Sequence, residues 1–216
     1  MIKAMKNIKI KVCGMKFPEN IAALRNLDID FIGFNFYERS LRYIGDMDHV
    51  ITAKIPSNIK KVGVFVNSDI DTILELQNYY GLDYVQLHGD ETPDFCNELF
   101  SQKILIIKAF QIDEKFNFNI LNEFEKYCSY FLFDNKSNTY GGSGKKFSWD
   151  ILKNTNSKKE YFLSGGIDIS DTTVINSFKD KGINVFGVDI NSKFEIEPGR
   201  KDIIKISDFI NKLKTN

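Results

Sequence analysis

A single closed (β/α)8 TIM barrel, an α/β fold, is what this sequence predicts, and three observations predict it. Short runs rich in β-branched and aromatic residues recur along the chain, each followed by Gly, Asn, Asp or Ser. Longer stretches with apolar residues at helical spacing lie between many of them. Most of the short runs are continuously apolar, as expected for parallel strands covered on both faces. Strands are expected at Ile8–Val12, Phe31–Phe36, Lys61–Val66, Tyr84–Leu87, Ile104–Phe110, Tyr130–Phe133, Tyr161–Leu163 and Asn184–Ile190. Helices are expected at Pro18–Leu27, with a proline early in its first turn, then at Ile70–Tyr80, Thr92–Phe100, Ser170–Phe178 and Asp202–Leu213. The second and sixth intervals between strands carry weaker helical patterns. Eight units in 216 residues is tight for a barrel that needs roughly 200 residues or more. Periodicity leaves a doubly wound open sheet as the alternative.

Composition narrows the function classes. Lysine and arginine total 29 against 29 aspartate and glutamate, so the chain has no net charge with which to seek nucleic acid. Apolar residues at 43% suffice for one large core, and no Pro/Ser/Gly linker or charge block divides residues 1–216, so one domain is expected. The apolar runs are far shorter than the roughly 20 residues of a membrane span, and the lysine-rich start lacks a signal-peptide core, so no membrane partner and a cytoplasmic location are expected. Cys13, Cys96 and Cys128 form neither a disulfide framework nor a zinc pattern, and read as free thiols.

In either architecture ligands gather where strands end and loops begin. Cys13 ends the first strand, where a thiolate is a capable base or nucleophile, although free cysteines are commonly buried and structural. Lys11 receives no role here, on the ground that alternate strand residues face opposite ways. Asp134 directly follows the run Tyr130–Phe133, where burial would favour its protonated, proton-donating form; a turn-capping role is the plainer reading. The glycine-dense stretch Tyr140–Lys145, with Gly142 as a substrate-binding candidate, can wrap an anion without being a Walker loop. Gly165 and Gly166 follow strand seven, and Asn191 and Ser192 follow strand eight, the two loops that bind phosphate in many barrels. Arg42 could present a fork to a carboxylate, or be solvated. His88 is the only histidine at a strand end, suited to a structural hydrogen bond or to substrate contact.

Together these segments resemble the phosphoribosylanthranilate isomerase family nearly from end to end. The carriers are Lys9–Met15, Gly33–Tyr37 with Ser40–Tyr43, Val62–Asn67, Val85–Gly89, Asp134 through Tyr140–Gly144 to Phe147 and Trp149, Leu163–Gly166, and Pro198–Asp202. The resemblance implies a cofactor-free Amadori rearrangement of a small phosphosugar, N-(5-phosphoribosyl)anthranilate, by a monomer or homodimer in tryptophan biosynthesis. It makes Asp134 the general acid and Cys13 the general base, pairs Arg42 with the anthranilate carboxylate, and gives phosphate contacts to Gly165, Gly166, Asn191 and Ser192. His88 and Asp189 take rim or supporting roles. Lys193 stands where the family has glycine, which predicts either strain, if that residue needs φ > 0, or an added cation for phosphate. Two rival readings are a catalytically silent phosphosugar-binding barrel, suggested by that altered loop, and a cysteine hydrolase with His88 as base.

Overall fold

A computed structural model of the chain describes residues 8–135, 149–178 and 180–214. Eight parallel strands close into a barrel in sequence order: β1 (Lys9–Val12), β2 (Phe31–Asn35), β3 (Lys60–Phe65), β4 (Tyr84–Leu87), β5 (Ile106–Ile112), β6 (Tyr130–Asn135), β7 (Tyr161–Leu163) and β8 (Gly187–Ile190). Closure is made by β8 against β1, in register Lys11 to Asp189. The open-sheet alternative is thereby excluded. An antiparallel hairpin, β9 (Glu195–Glu197) with β10 (Arg200–Lys201), follows the barrel.

The outer layer comprises α1 (Pro18–Leu24), α2 (His49–Ala53), α3 (Ile70–Tyr80), α4 (Pro93–Ser101), α5 (Leu121–Phe124), α6 (Thr172–Asn176) and α7 (Ile203–Lys214). Local chemistry sets their ends. Asp69 caps α3 by accepting from Thr72 N, and the helix stops at Gly81 in the left-handed region, φ 58°. Thr92 caps α4, with Pro93 in its first turn. α7 buries Ile206, Phe209, Ile210 and Leu213 on one face. The weak second interval yields only the five-residue α2, and the described part of the sixth yields a 3-10 segment, Trp149–Asn154. The helix expected at Ser170–Phe178 shortens to α6 behind a 3-10 turn capped by Asp168.

Bridged partners in a parallel sheet share a face, so the register sorts inward residues from outward ones. Lys11 pairs with both Phe31 and Asp189, Val62 with Tyr84, Ile107 with Tyr130, and Leu132 with Phe162. Phe31, Val62, Ile107, Ala109, Leu132 and Phe162 make an apolar cluster of their own inside the ring, joined by Tyr84, Tyr130 and Phe186. Phe31 meets Phe162 edge to face at 5.1 Å between ring centres, and Tyr130 stacks on Phe186 at 4.5 Å. Phe31, Tyr84 and Tyr130 open their strands, so these rings close the N-terminal end of the barrel. The same inward rows, followed to the C-terminal ends, become polar.

Candidate active site

The polar rows are Lys11 of β1 with Cys13 just after the strand, Gln86 of β4 with His88 just after it, Asp134 of β6, and Asp189 of β8 with Asn191 just after it. Lys11 is fully buried, and its ammonium lies 3.0 Å from Asp189 Oδ1. It also faces the Cys13 thiol: burial would pull its pKa down, but Asp189 and Cys13 outweigh that and hold it above the ordinary lysine value. Cys13 is 6% exposed. Burial pushes its thiol up, Lys11 pulls it back, Asp189 adds to the rise, and the net direction is upward. The Asp189 carboxyl is raised by burial against the pull of Lys11, with Asp134 adding to the rise and His88 opposing it. Asp189 thus feels both halves of the site, Lys11 on β1 and the His88–Asp134 pair opposite.

This arrangement corrects the reading of Lys11. It precedes Cys13 by two residues, so strand alternation places both on the same face, not opposite ones. Gln86 was missed in the same way: it is two residues before His88, fully buried, and its Nε2 contacts His88 Nδ1 at 2.8 Å. With Gln86 donating, Nδ1 is the acceptor, and His88 Nε2 carries the proton toward Asp134 Oδ2 at 3.2 Å. His88 therefore serves Asp134 and is not a base for Cys13, which removes the hydrolase geometry. In each case the recoverable signal was a polar residue two positions before a strand-end candidate.

Asp134 lies inside β6 rather than after it, because the strand runs on through the pairs Gln111–Asp134 and Ile112–Asn135. Its side chain is 26% exposed, so it sits partly desolvated at the rim. Asn135 N donates to its Oδ1 at 2.9 Å. The β7 loop approaches closely here: a Cβ on Gly165 would sit 2.6 Å from Asn135 N and 3.0 Å from Asp134 Oδ1, and Gly165 has φ 93°. Gly166 follows at φ 73°, with open space around it.

After β8, Ser192–Phe194 forms a short 3-10 helix with Ser192 and Lys193 exposed. Lys193 is absent from the residues with positive φ, so the expected strain does not arise. Its carbonyl instead accepts from Lys205 Nζ at 2.7 Å, and that ammonium also lies 3.5 Å from Asp168, tying the loops after β7 and β8 to α7. The altered loop therefore gives the silent-barrel reading no support. Asn191 turns its Oδ1 to Lys201 Nζ at 2.6 Å rather than to the open side of the loop.

A second polar cluster abuts Cys13. Arg42 donates from Nε to Glu195 Oε1 and Oε2 at 2.9 and 3.1 Å, and from Nη2 to Oε2 at 2.6 Å. Lys201, also buried, donates to Glu195 Oε1 at 2.6 Å, while Asn20 of α1 binds the Lys201 backbone N–H and C=O. Burial would raise the Glu195 carboxyl, but Arg42, Lys201 and Gly199 N together hold it below its ordinary value. Burial lowers Lys201 in spite of Glu195. Neither Glu195 nor Lys201 stood out in the sequence as a functional candidate.

A cavity of about 460 Å3 flanks the His88 side of the mouth, walled by Asn67, His88, Lys108, Phe110 and Phe116. At its floor Lys108 binds Glu91 at 3.0 Å and the Gly89 carbonyl at 2.8 Å. Among the described residues no group of three or more His, Cys, Asp or Glu side chains could hold a metal ion, and no helix is long and apolar enough to cross a membrane. Gly142 and the rest of its glycine-rich stretch lie outside the described residues.

Residues 10–212 match the family model for N-(5'-phosphoribosyl)anthranilate (PRA) isomerase. The N-(5'-phosphoribosyl)anthranilate isomerase of Parabacteroides distasonis is 44% identical over 206 residues, covering 94% of this chain and 92% of the relative. The crystal structure of phosphoribosyl anthranilate isomerase from Thermotoga maritima superposes with a TM-score of 0.83 at 33% identity, covering 97% and 100% of the two chains. A phosphoribosyl anthranilate isomerase in complex with reduced 1-(o-carboxyphenylamino)-1-deoxyribulose 5-phosphate superposes at 0.79 with 29% identity and the same coverage.

Proposed function

This chain belongs to the N-(5'-phosphoribosyl)anthranilate isomerase family and isomerises that substrate in tryptophan biosynthesis, and from that premise we propose how its residues divide the work. Asp134 gives a proton to the furanose ring oxygen, the C1–O bond breaks, and the anilino nitrogen supplies the electron pair that makes the Schiff base. The iminium acidifies the C2–H bond, and the Cys13 thiolate removes that proton to leave an enolamine, which tautomerises to the aminoketone. Lys11 offsets part of the cost of a buried thiolate, and His88, oriented by Gln86, keeps Asp134 aimed at the ring oxygen. Arg42 receives the anthranilate carboxylate, while Gly165, Gly166, Asn191 and Ser192 border the phosphate.

The observation that carries this division is Asp189. It lies 3.0 Å from Lys11 on the thiol side, and Asp134 and His88 act on its carboxyl from across the mouth, which supports a base and an acid working on one substrate. Cys13→Ala and Asp134→Asn are each expected to lose most turnover while still binding the reduced product analogue; fluorescence-monitored conversion of freshly made substrate measures it. Full activity in either variant overturns the assignment. The barrel acts in the cytoplasm as one domain, a monomer or homodimer, the related Thermotoga maritima enzyme being described as dimeric; light scattering distinguishes the two states.

A further inference from the structure

The carboxylate that Arg42 already holds raises the question of how it could hold another. A guanidinium offers two forks: a side edge, made by Nε and Nη2, and an end edge, made by Nη1 and the second hydrogen of Nη2. Glu195 takes the side edge through three contacts of 2.6 to 3.1 Å, which turns the end edge away from it. Glu195 is 5% exposed and is fixed in turn by Lys201 Nζ at 2.6 Å and Gly199 N at 3.1 Å. The Arg42 stem lies on Gly14, where a Cβ would come within 2.7 Å of Arg42 Cδ, so the guanidinium is held from behind by Glu195 and from below by the residue after Cys13. Two cations to one carboxylate leave the cluster a net positive charge toward an anion.

We infer that Glu195 is a positioning residue, aiming the free end edge of Arg42 at the aryl carboxylate of the substrate; this rests on the reading of Arg42 given above. Glu195 touches no reacting atom. Its effect is confined to substrates that carry the carboxylate, because only they use the end edge.

The test compares kcat and KM for phosphoribosylanthranilate and for its decarboxylated analogue, N-(5-phosphoribosyl)aniline, in the near-isosteric Glu195→Gln, the charge-keeping Glu195→Asp, and Arg42→Ala. Glu195→Gln is expected to raise KM for the anthranilate substrate about tenfold with kcat within about threefold, and to leave the aniline analogue nearly unchanged. Glu195→Asp, which keeps the charge but shortens the reach, gives a smaller shift of the same kind and serves if Glu195→Gln does not fold. Arg42→Ala removes the preference for the carboxylated substrate. If Arg42→Ala removes it and both folded Glu195 variants keep it intact, the inference about Glu195 fails while the reading of Arg42 stands. If Arg42→Ala also keeps it, the reading of Arg42 fails and the inference with it. Equal loss on both substrates in the Glu195 variants likewise overturns the inference, since it shows Glu195 supporting the thiol or the fold instead.

Discussion

Replacing Lys11 with Met isolates the buried ion pair at the centre of the site. The two charged atoms are 3.0 Å apart, on side chains 0% and 5% exposed. Methionine keeps most of the stem and removes the charge, leaving the Asp189 carboxyl enclosed without its cation. Breaking a buried pair from one side costs about 3–5 kcal/mol. Asp189 can escape the upper part of that range by taking a proton. Near neutral pH this costs about 1.36 kcal/mol for each of the roughly three units above the ordinary aspartate value, or about 4 kcal/mol. At about pH 5 the same step costs only about 1.5 kcal/mol. The sign follows from linkage: burial already raises the Asp189 carboxyl, and losing Lys11 raises it further. A carboxyl raised in the folded state favours folding most below its unfolded value, and that advantage is lost as pH rises through the folded value. The deficit of Lys11→Met against the parent is therefore largest near neutrality and narrows on acidification. Urea denaturation followed by circular dichroism at both pH values measures it, and adding Asp189→Leu recovers most of the loss. An unchanged midpoint at neutral pH, or a deficit that widens in acid, refutes the reasoning.

Three other outcomes are expected. Because burial raises the Cys13 thiol and Lys11 opposes that rise, alkylation of Cys13 by iodoacetamide, read by peptide mass, gains rate only above the usual thiol range; Lys11→Met moves the midpoint higher, and a lower midpoint would contradict this. Gly165→Ala forces a Cβ against Asn135 at φ 93° and displaces Asp134, so kcat/KM falls about 100-fold; a loss under about threefold would show that the close approach is not needed. Lys193→Gly removes an exposed side chain from a residue without positive φ, so stability changes by less than about 1 kcal/mol in thermal melts. A gain well beyond that would mean that lysine is strained there after all.

The strands were legible because barrel strands are buried on both faces and announce themselves as uninterrupted apolar runs; Tyr84–Leu87 and Tyr161–Leu163 agree to the residue. β6 was cut short at Phe133 because aspartate and asparagine ordinarily signal turns, whereas pairing with β5 carries the strand through both. Cys13, Asp134 and His88 were visible as chemistry at strand ends. Lys11, Gln86 and Lys201 were not, since these residue types usually lie at the surface and only partners from distant strands make their burial tolerable. The Arg42–Glu195 fork spans 153 residues, beyond any local pattern. Gly165 was legible as a loop glycine, but its contact with Asp134 belongs to the packing of two neighbouring strand ends.

The plug of rings across the N-terminal end of the barrel, Phe31 with Tyr84, Tyr130, Phe162 and Phe186, has a kinetic consequence. Among the described residues these rings leave the barrel interior no back door, so arrival and departure share one threshold. Aminoketone that lingers there bars the next molecule from entering, so it should act as a competitive inhibitor, and whatever drains it downstream also sets the pace of this enzyme.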